Sequence, residues 1–163
     1  MSRPAGEHPA DPAPARRAAR AAPGPGAPRH RAREVAFRVV YQSDLTGDSY
    51  AEAWVARGAE EHLGADQRRL VEAVLAVLAN RGPEVDEELR RAAEHWSLPR
   101  LAATDRSVLR AAAAELLACP GTPARVVLDE AIEIAKRFGS EESGAFVNGV
   151  LDRIARRLRP GEF

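Results

Sequence analysis

Between Pro28 and Ile154 the apolar residues recur three and four positions apart rather than in alternation, the spacing of helices that bury one face. The first helix is predicted from about Pro28 to Leu45, with Pro28 near its first turn and Ala32, Val35, Ala36, Val39 and Val40 turned inward. Thr46-Gly47-Asp48 ends it, and Ser49 followed three residues later by Glu52 fits a capping box for a second helix carrying Trp54 and Val55. After Gly64, Asp66 can cap a third helix with Leu70, Val71, Val74, Leu75 and Leu78 on one side; Gly82-Pro83 breaks it and starts a short, charged fourth. Thr104 or Asp105 opens a fifth, containing Val108, Leu109, Ala112, Leu116 and Leu117, which Pro120-Gly121 must end. Thr122-Pro123 supplies a cap and a first-turn proline for a sixth, with Val127, Ala131, Ile134, Ala135 and Phe138 inward and Gly139 just past its end. Ser140 caps the last helix, with Glu141 and Glu142 against the positive end of its dipole and Phe146, Val147, Val150, Leu151 and Ile154 on its apolar face. About seven helices joined by short loops predict an all-α bundle.

Composition changes this picture mainly at the N-terminus. Seven of the twelve prolines fall within residues 1–28, mixed with Ala, Gly and Arg. Such a stretch cannot hold a helix and has too little apolar bulk to pack, so a disordered arm is expected ahead of a folded domain over residues 29–160. Charge follows the same division: residues 1–33 carry seven arginines against Glu7 and Asp11, a net +5, while the remainder carries 17 basic and 22 acidic groups, a net −5. A basic end on a mildly acidic body suits polyanion contact at that end, although a solvated tail has the same composition. Lys136 is the only lysine. Arginine suits bidentate phosphate contact and stacking on bases, and codon bias would produce the same preference.

No apolar run approaches the ~20 residues of a bilayer span, and the longest, Ala111 to Cys119, is interrupted by Glu115. The N-terminus lacks the apolar stretch of a secretory signal, so it reads as a retained tail on a cytoplasmic protein. Cys119 is the single cysteine, which excludes an intramolecular disulfide and a Cys-based zinc site. His8, His30, His62 and His95 stand apart, none at ligand spacing from another His or from the cysteine. No Gly-rich loop joins a strand to a helix and no nucleophile elbow is present, so no metal, no nucleotide cofactor and no catalysis are expected.

Two stretches carry a family resemblance. One is Arg29-His30-Arg31-Ala32-Arg33-Glu34 at the start of the first helix; the other runs from Asp105 to Asp152 and contains DRSVLRAAAAEL, LDEAIEIAK and RFGSEESGAFVNGVLD. In order and spacing they resemble the NusB family, over roughly residues 28–158. The resemblance implies an all-helical fold of two small subdomains and a non-enzymatic role in transcription antitermination, on rRNA transcripts. The implied partners are a boxA-type single-stranded RNA, the ribosomal small-subunit protein called NusE when it acts in transcription, and, indirectly, the transcribing RNA polymerase complex. No membrane partner is implied, and monomer and homodimer both remain open.

The resemblance also implies sites. Arg29, Arg31 and Arg33 match the family's arginine-rich RNA-binding segment, where a helix N-terminus adds its own N–H groups to an anion site; His30 stands where the family usually has another arginine. Phe146 matches an aromatic implicated in RNA binding, by stacking on an unpaired base, and a buried core phenylalanine is the competing reading. Glu142 matches a position near the RNA and is equally a helix-dipole residue. Lys136 and Arg137 extend the basic track or serve the end of their own helix. Tyr41 and Asp105 match positions that contact the ribosomal protein, against edge packing and an N-cap as alternatives. Asn148-Gly149 inside a helix suggests close helix approach. The chain departs from the family at Ala111 to Ala114, where larger residues and an aromatic are usual, and at Asp129, where asparagine is usual.

Two other functions compete. The same helical fold forms the RNA-recognition domain of certain RNA cytosine methyltransferases, and a chain ending at Phe163 is expected to lack the cofactor-binding α/β domain of such an enzyme. A purely protein-binding helical scaffold would leave the basic arm incidental and show no specific RNA signal.

Overall fold

A computed structural model describes residues 27–163. The expected arm of residues 1–28 lies outside them except for Ala27 and Pro28, which begin the first helix. Six helices follow: α1 (Ala27–Thr46), α2 (Tyr50–Glu61), α3 (Ala65–Ala92), α4 (Ala103–Ala118), α5 (Ala124–Phe138) and α6 (Ser143–Leu158). Single 3-10 turns at Leu98–Arg100 and Pro160–Glu162 complete the order, with no strand among the described residues. No helix among these residues is long and apolar enough to cross a membrane.

The expected break at Gly82-Pro83 is a kink instead, which is why six helices stand where seven were predicted. Arg81 alone leaves helical geometry (φ −128°, ψ 24°), and Pro83 continues the helix beyond it. Proline lacks one N–H and crowds the preceding turn, so one distorted residue absorbs the defect while the axis carries on. Arg81 bridges the kink by pairing with Glu84 at 2.6 and 2.8 Å.

Local signals fixed some helix ends and missed others. The capping box is present as read: Ser49 accepts from the Glu52 N–H at 3.1 Å while the Glu52 carboxylate accepts from the Ser49 N–H at 3.0 Å. Elsewhere the starts slip. Gly64, not Asp66, precedes α3, with the Gln67 side chain accepting from its N–H at 2.8 Å. Ala102 precedes α4 and Pro123 precedes α5. The expected Ser140 cap is inverted: α6 starts at Ser143, whose hydroxyl accepts from the Ser140 N–H at 2.9 Å.

The two halves, α1–α3 and α4–α6, share one continuous core of buried aliphatic residues, with α4 running through its middle against α1, α3, α5 and α6. The alanine run explains that position. Ala111, Ala112, Ala113 and Ala114 are all buried, and their small side chains let neighbouring helices approach α4 on several faces. A void of about 20 Å³ remains between α1 and α4, lined by Ala111, Ala112 and Ala131 among others. Gly149, expected at a close helix contact, has no atom of the described residues within 4 Å of where a Cβ would stand. The close approach is at Gly144, where a Cβ would lie 3.0 Å from Lys136 Cγ.

Candidate functional site

The arginine-rich start of α1 faces several ways, because successive helical residues are rotated by about 100° from one another. Arg29 is exposed and reaches Asp66 at 3.3 Å, beside Arg69 and Thr122. Arg31 is also exposed and donates to the Glu61 carbonyl, with the Glu61 carboxylate at 3.4 Å. His30 lies between two carboxylates, Nδ1 against Glu130 of α5 and Nε2 3.3 Å from Glu34.

Arg33 is not a surface cation. Only 7% exposed, it forms three hydrogen bonds of 2.7–3.0 Å to Glu115 of α4, itself 3% exposed. Its guanidinium closes the core beside the α1–α4 void, so its expected place in a phosphate track is corrected: an ion pair removed from water holds two helices together there.

The basic surface that does form draws on residues the arginine segment did not include. Arg38 and Arg137 stand over the Phe138 ring at 5.4 and 5.0 Å from its centroid, and Phe37 packs on the same ring at 5.2 Å. Arg31, Arg38 and Arg57 converge on Glu61 at 3.4, 4.0 and 3.4 Å, three cations on one carboxylate. Lys136 is exposed on the outer side of α5, 4.0 Å from Glu133.

Two clefts flank the start of α4. One, of about 580 Å³, is lined by Tyr41, Leu45, Arg38, Arg57, Phe138 and Thr104. Tyr41 stacks at 5.9 Å on Phe37 there, and Leu45 is 60% exposed, a large apolar side chain left to solvent. The other, of about 180 Å³, is lined by Asp105, Glu142, Phe146, Trp96, Arg100 and Leu101. Thr104 and Asp105 are consecutive, so one backbone step carries the surface from one cleft to the next. Tyr41 and Asp105, expected together, are thus divided between neighbouring clefts, and Asp105 joins Glu142 and Phe146. Asp105 caps nothing: the Arg106 N–H bonds the Ala102 carbonyl at 3.0 Å, and Asp105 Oδ1 is buried without a hydrogen-bond partner among the described residues.

Phe146 is half-buried, its ring edge-on to Trp96 at 5.7 Å and 69°. Trp96 is the residue the sequence reading passed over. It is 60% exposed in the turn after α3, outside any apolar stripe, and that isolation was the available signal.

Asp44 of α1 ties α1 to α4, receiving Arg106 at 2.6 Å and Arg110 at 3.3 Å, while Arg110 also reaches Asp86 of α3 at 3.0 Å. The Arg106 hydrogen bond holds the Asp44 carboxyl below its ordinary 3.8 against the opposing effect of burial. Burial raises Tyr50 beside this network and likewise raises the Cys119 thiol, keeping both protonated at neutral pH.

A model of the NusB family matches residues 30–156. The transcription antitermination protein NusB of Sorangium cellulosum is 44% identical over 126 residues, covering 77% of this chain and 90% of that protein. Its counterpart from Pseudothermotoga lettingae is 39% identical over 137 residues, covering 82% and 95%. Among solved structures, T. maritima NusB aligns with a TM-score of 0.74 at 36% identity, over 82% of this chain and 94% of that one. A crystal structure of the antitermination factors NusB and NusE in complex with dsRNA aligns with a TM-score of 0.71 at 27% identity, over 80% and 97%.

Proposed function

This chain belongs to the NusB family, and from that premise we propose that it is a non-enzymatic transcription antitermination factor that binds boxA-type single-stranded RNA together with the ribosomal protein NusE during rRNA transcription in the cytoplasm. The observation that carries the reading is the pair of clefts meeting at Thr104 and Asp105. The first offers a protein partner an exposed leucine and a tyrosine bordered by cations, the apolar-plus-polar lining of an interaction hot spot. The second offers RNA an aromatic edge with an arginine at its rim. Ligands held in adjacent clefts touch each other as well as this protein, so each raises the affinity of the other. Arg29, Arg31, Arg38 and Arg137 supply phosphate contacts that fix position without reading sequence, and the basic arm adds long-range attraction.

Fluorescence anisotropy with a labelled boxA-like strand and a scrambled control, with and without the ribosomal protein at physiological salt, tests this. Preference for the boxA-like strand, strengthened by the partner, is the expected result. Equal weak binding to both strands with no partner effect overturns it in favour of a protein-binding scaffold.

A further inference from the structure

The Trp96–Phe146 pair lines not one cleft but two. On one side is the cleft holding Asp105, Glu142 and Arg100; on the other is a second hollow, of about 230 Å³, lined by both aromatics with His95, Gly149 and Arg153. The pair therefore stands as a wall between two hollows, and its outer part is a tryptophan more than half exposed. Burying that indole would remove a large apolar area from water, yet the fold leaves it out, braced edge-on by Phe146.

Gly149 bears on the second hollow. Glycine weakens a helix interior, and no neighbouring atom of the described residues requires its small size, since a Cβ there would meet none of them within 4 Å. What its missing side chain provides is depth in the hollow next to Phe146. The first hollow holds Arg100, exposed, together with the carboxylates of Asp105 and Glu142, which offer only acceptors and repel phosphate. An occupant must bring a flat apolar face, hydrogen-bond donors on its edge and its negative charge outside.

We propose that Trp96 and Phe146 form a wedge that separates two consecutive unpaired bases of the bound RNA, one base stacked in each hollow, and that the base in the Asp105–Glu142 hollow carries an exocyclic amino group. Adenine, cytosine and guanine present such a donor; uracil does not. The inference rests on the RNA-binding reading above and adds to it a second stacking residue and a base preference.

Trp54→Phe leaves Trp96 as the sole tryptophan, so its emission reports the wedge directly. In that background, titration with the boxA-like strand should quench the emission in step with the anisotropy of the labelled RNA. Trp96→Ala should weaken binding roughly tenfold or more, the effect of losing one base stack, while Trp96→Phe keeps most of the affinity. Because Trp96 is largely exposed, thermal unfolding of Trp96→Ala should stay at the parent position. Replacing the boxA-like strand's amino-bearing bases by uracil one at a time should find a position whose penalty disappears in Glu142→Gln, where the amide brings its own donor. RNA binding with unchanged Trp96 emission and full affinity in Trp96→Ala overturns the wedge and leaves the functional reading standing. Loss of the ribosomal partner but not of RNA in Trp96→Ala assigns the edge to protein and overturns it too. No boxA binding by the parent protein overturns both.

Discussion

Replacing Arg33 tests whether that residue serves the fold or the RNA. The guanidinium and the Glu115 carboxylate are 7% and 3% exposed and share three hydrogen bonds. Arg33→Met leaves a carboxylate buried without its cation, and breaking a buried pair this way costs about 3–5 kcal/mol. That is a large fraction of the roughly 5–15 kcal/mol that holds a domain folded. For a chain of this size the melting temperature should fall by roughly 6–20 °C. Arg33→Met combined with Glu115→Leu removes both desolvation penalties and should return stability to the wild-type level or up to about 4 kcal/mol above it. Urea unfolding followed by circular dichroism gives these differences, and RNA binding across a salt series on the double variant separates the two roles. The expected outcome is an unchanged log–log salt slope. A wild-type unfolding midpoint in Arg33→Met alone would refute the buried-pair account, and a slope shallower by about one in the double variant would return Arg33 to the phosphate track.

Three further outcomes follow from the geometry. Gly139→Ala sets a Cβ 2.7 Å from Ser143 Cβ and 2.8 Å from the Ala135 carbonyl oxygen, and should destabilise by about 1–3 kcal/mol in urea unfolding; a neutral effect would mean that the α5–α6 turn can open. Ser49→Ala removes the α2 cap and should cost about 1 kcal/mol in the same assay, with no loss indicating that water replaces the hydroxyl. Asp44 is held below 3.8 in the folded state, so the unfolded chain binds its proton first as pH falls; stability from this group is complete above about pH 5 and is lost as pH drops toward the folded value. Melting temperatures between about pH 2 and 5 should accordingly fall less steeply in Asp44→Asn than in wild type, and parallel curves would remove Asp44 from the acid response.

What the sequence revealed depended on how far apart the determining residues lie. The capping box was legible because Ser49 and Glu52 carry its whole geometry within one turn. The helices of α5 and α6 were legible because their apolar residues repeat at 3.6-residue spacing whatever they pack against. Arg33 was misplaced because its burial depends on Glu115, 82 positions away. The sign was nonetheless present: Arg33 lies on a helical stripe with Phe37 and Val40, Glu115 on one with Val108, Ala111 and Ala112, and opposite charges on two apolar stripes can meet only inside. The kink at Pro83 was read as a boundary because proline reports a lost hydrogen bond and not whether neighbouring helices hold the axis together across it. The division of Tyr41 and Asp105 between clefts arises from the packing of α1, α4 and α5, which no local pattern encodes.

The Arg33–Glu115 bond also has a meaning in time. A nascent chain emerges from the ribosome N-terminus first, at roughly 5–20 residues per second, so the 82 positions between the partners amount to about 4–16 s of synthesis. Throughout that interval α1 has been made, with Val35, Val39 and Val40 and a cation on its inward stripe, but the helix that covers them has not. Covering an unpaired cation costs any chain that packs on the unfinished stripe its desolvation, and the carboxylate that offsets this cost is made only with α4. A methionine at position 33 would leave the completed fold, once Glu115 was also replaced, as stable as before, yet would expose translation to a longer apolar stripe during those seconds.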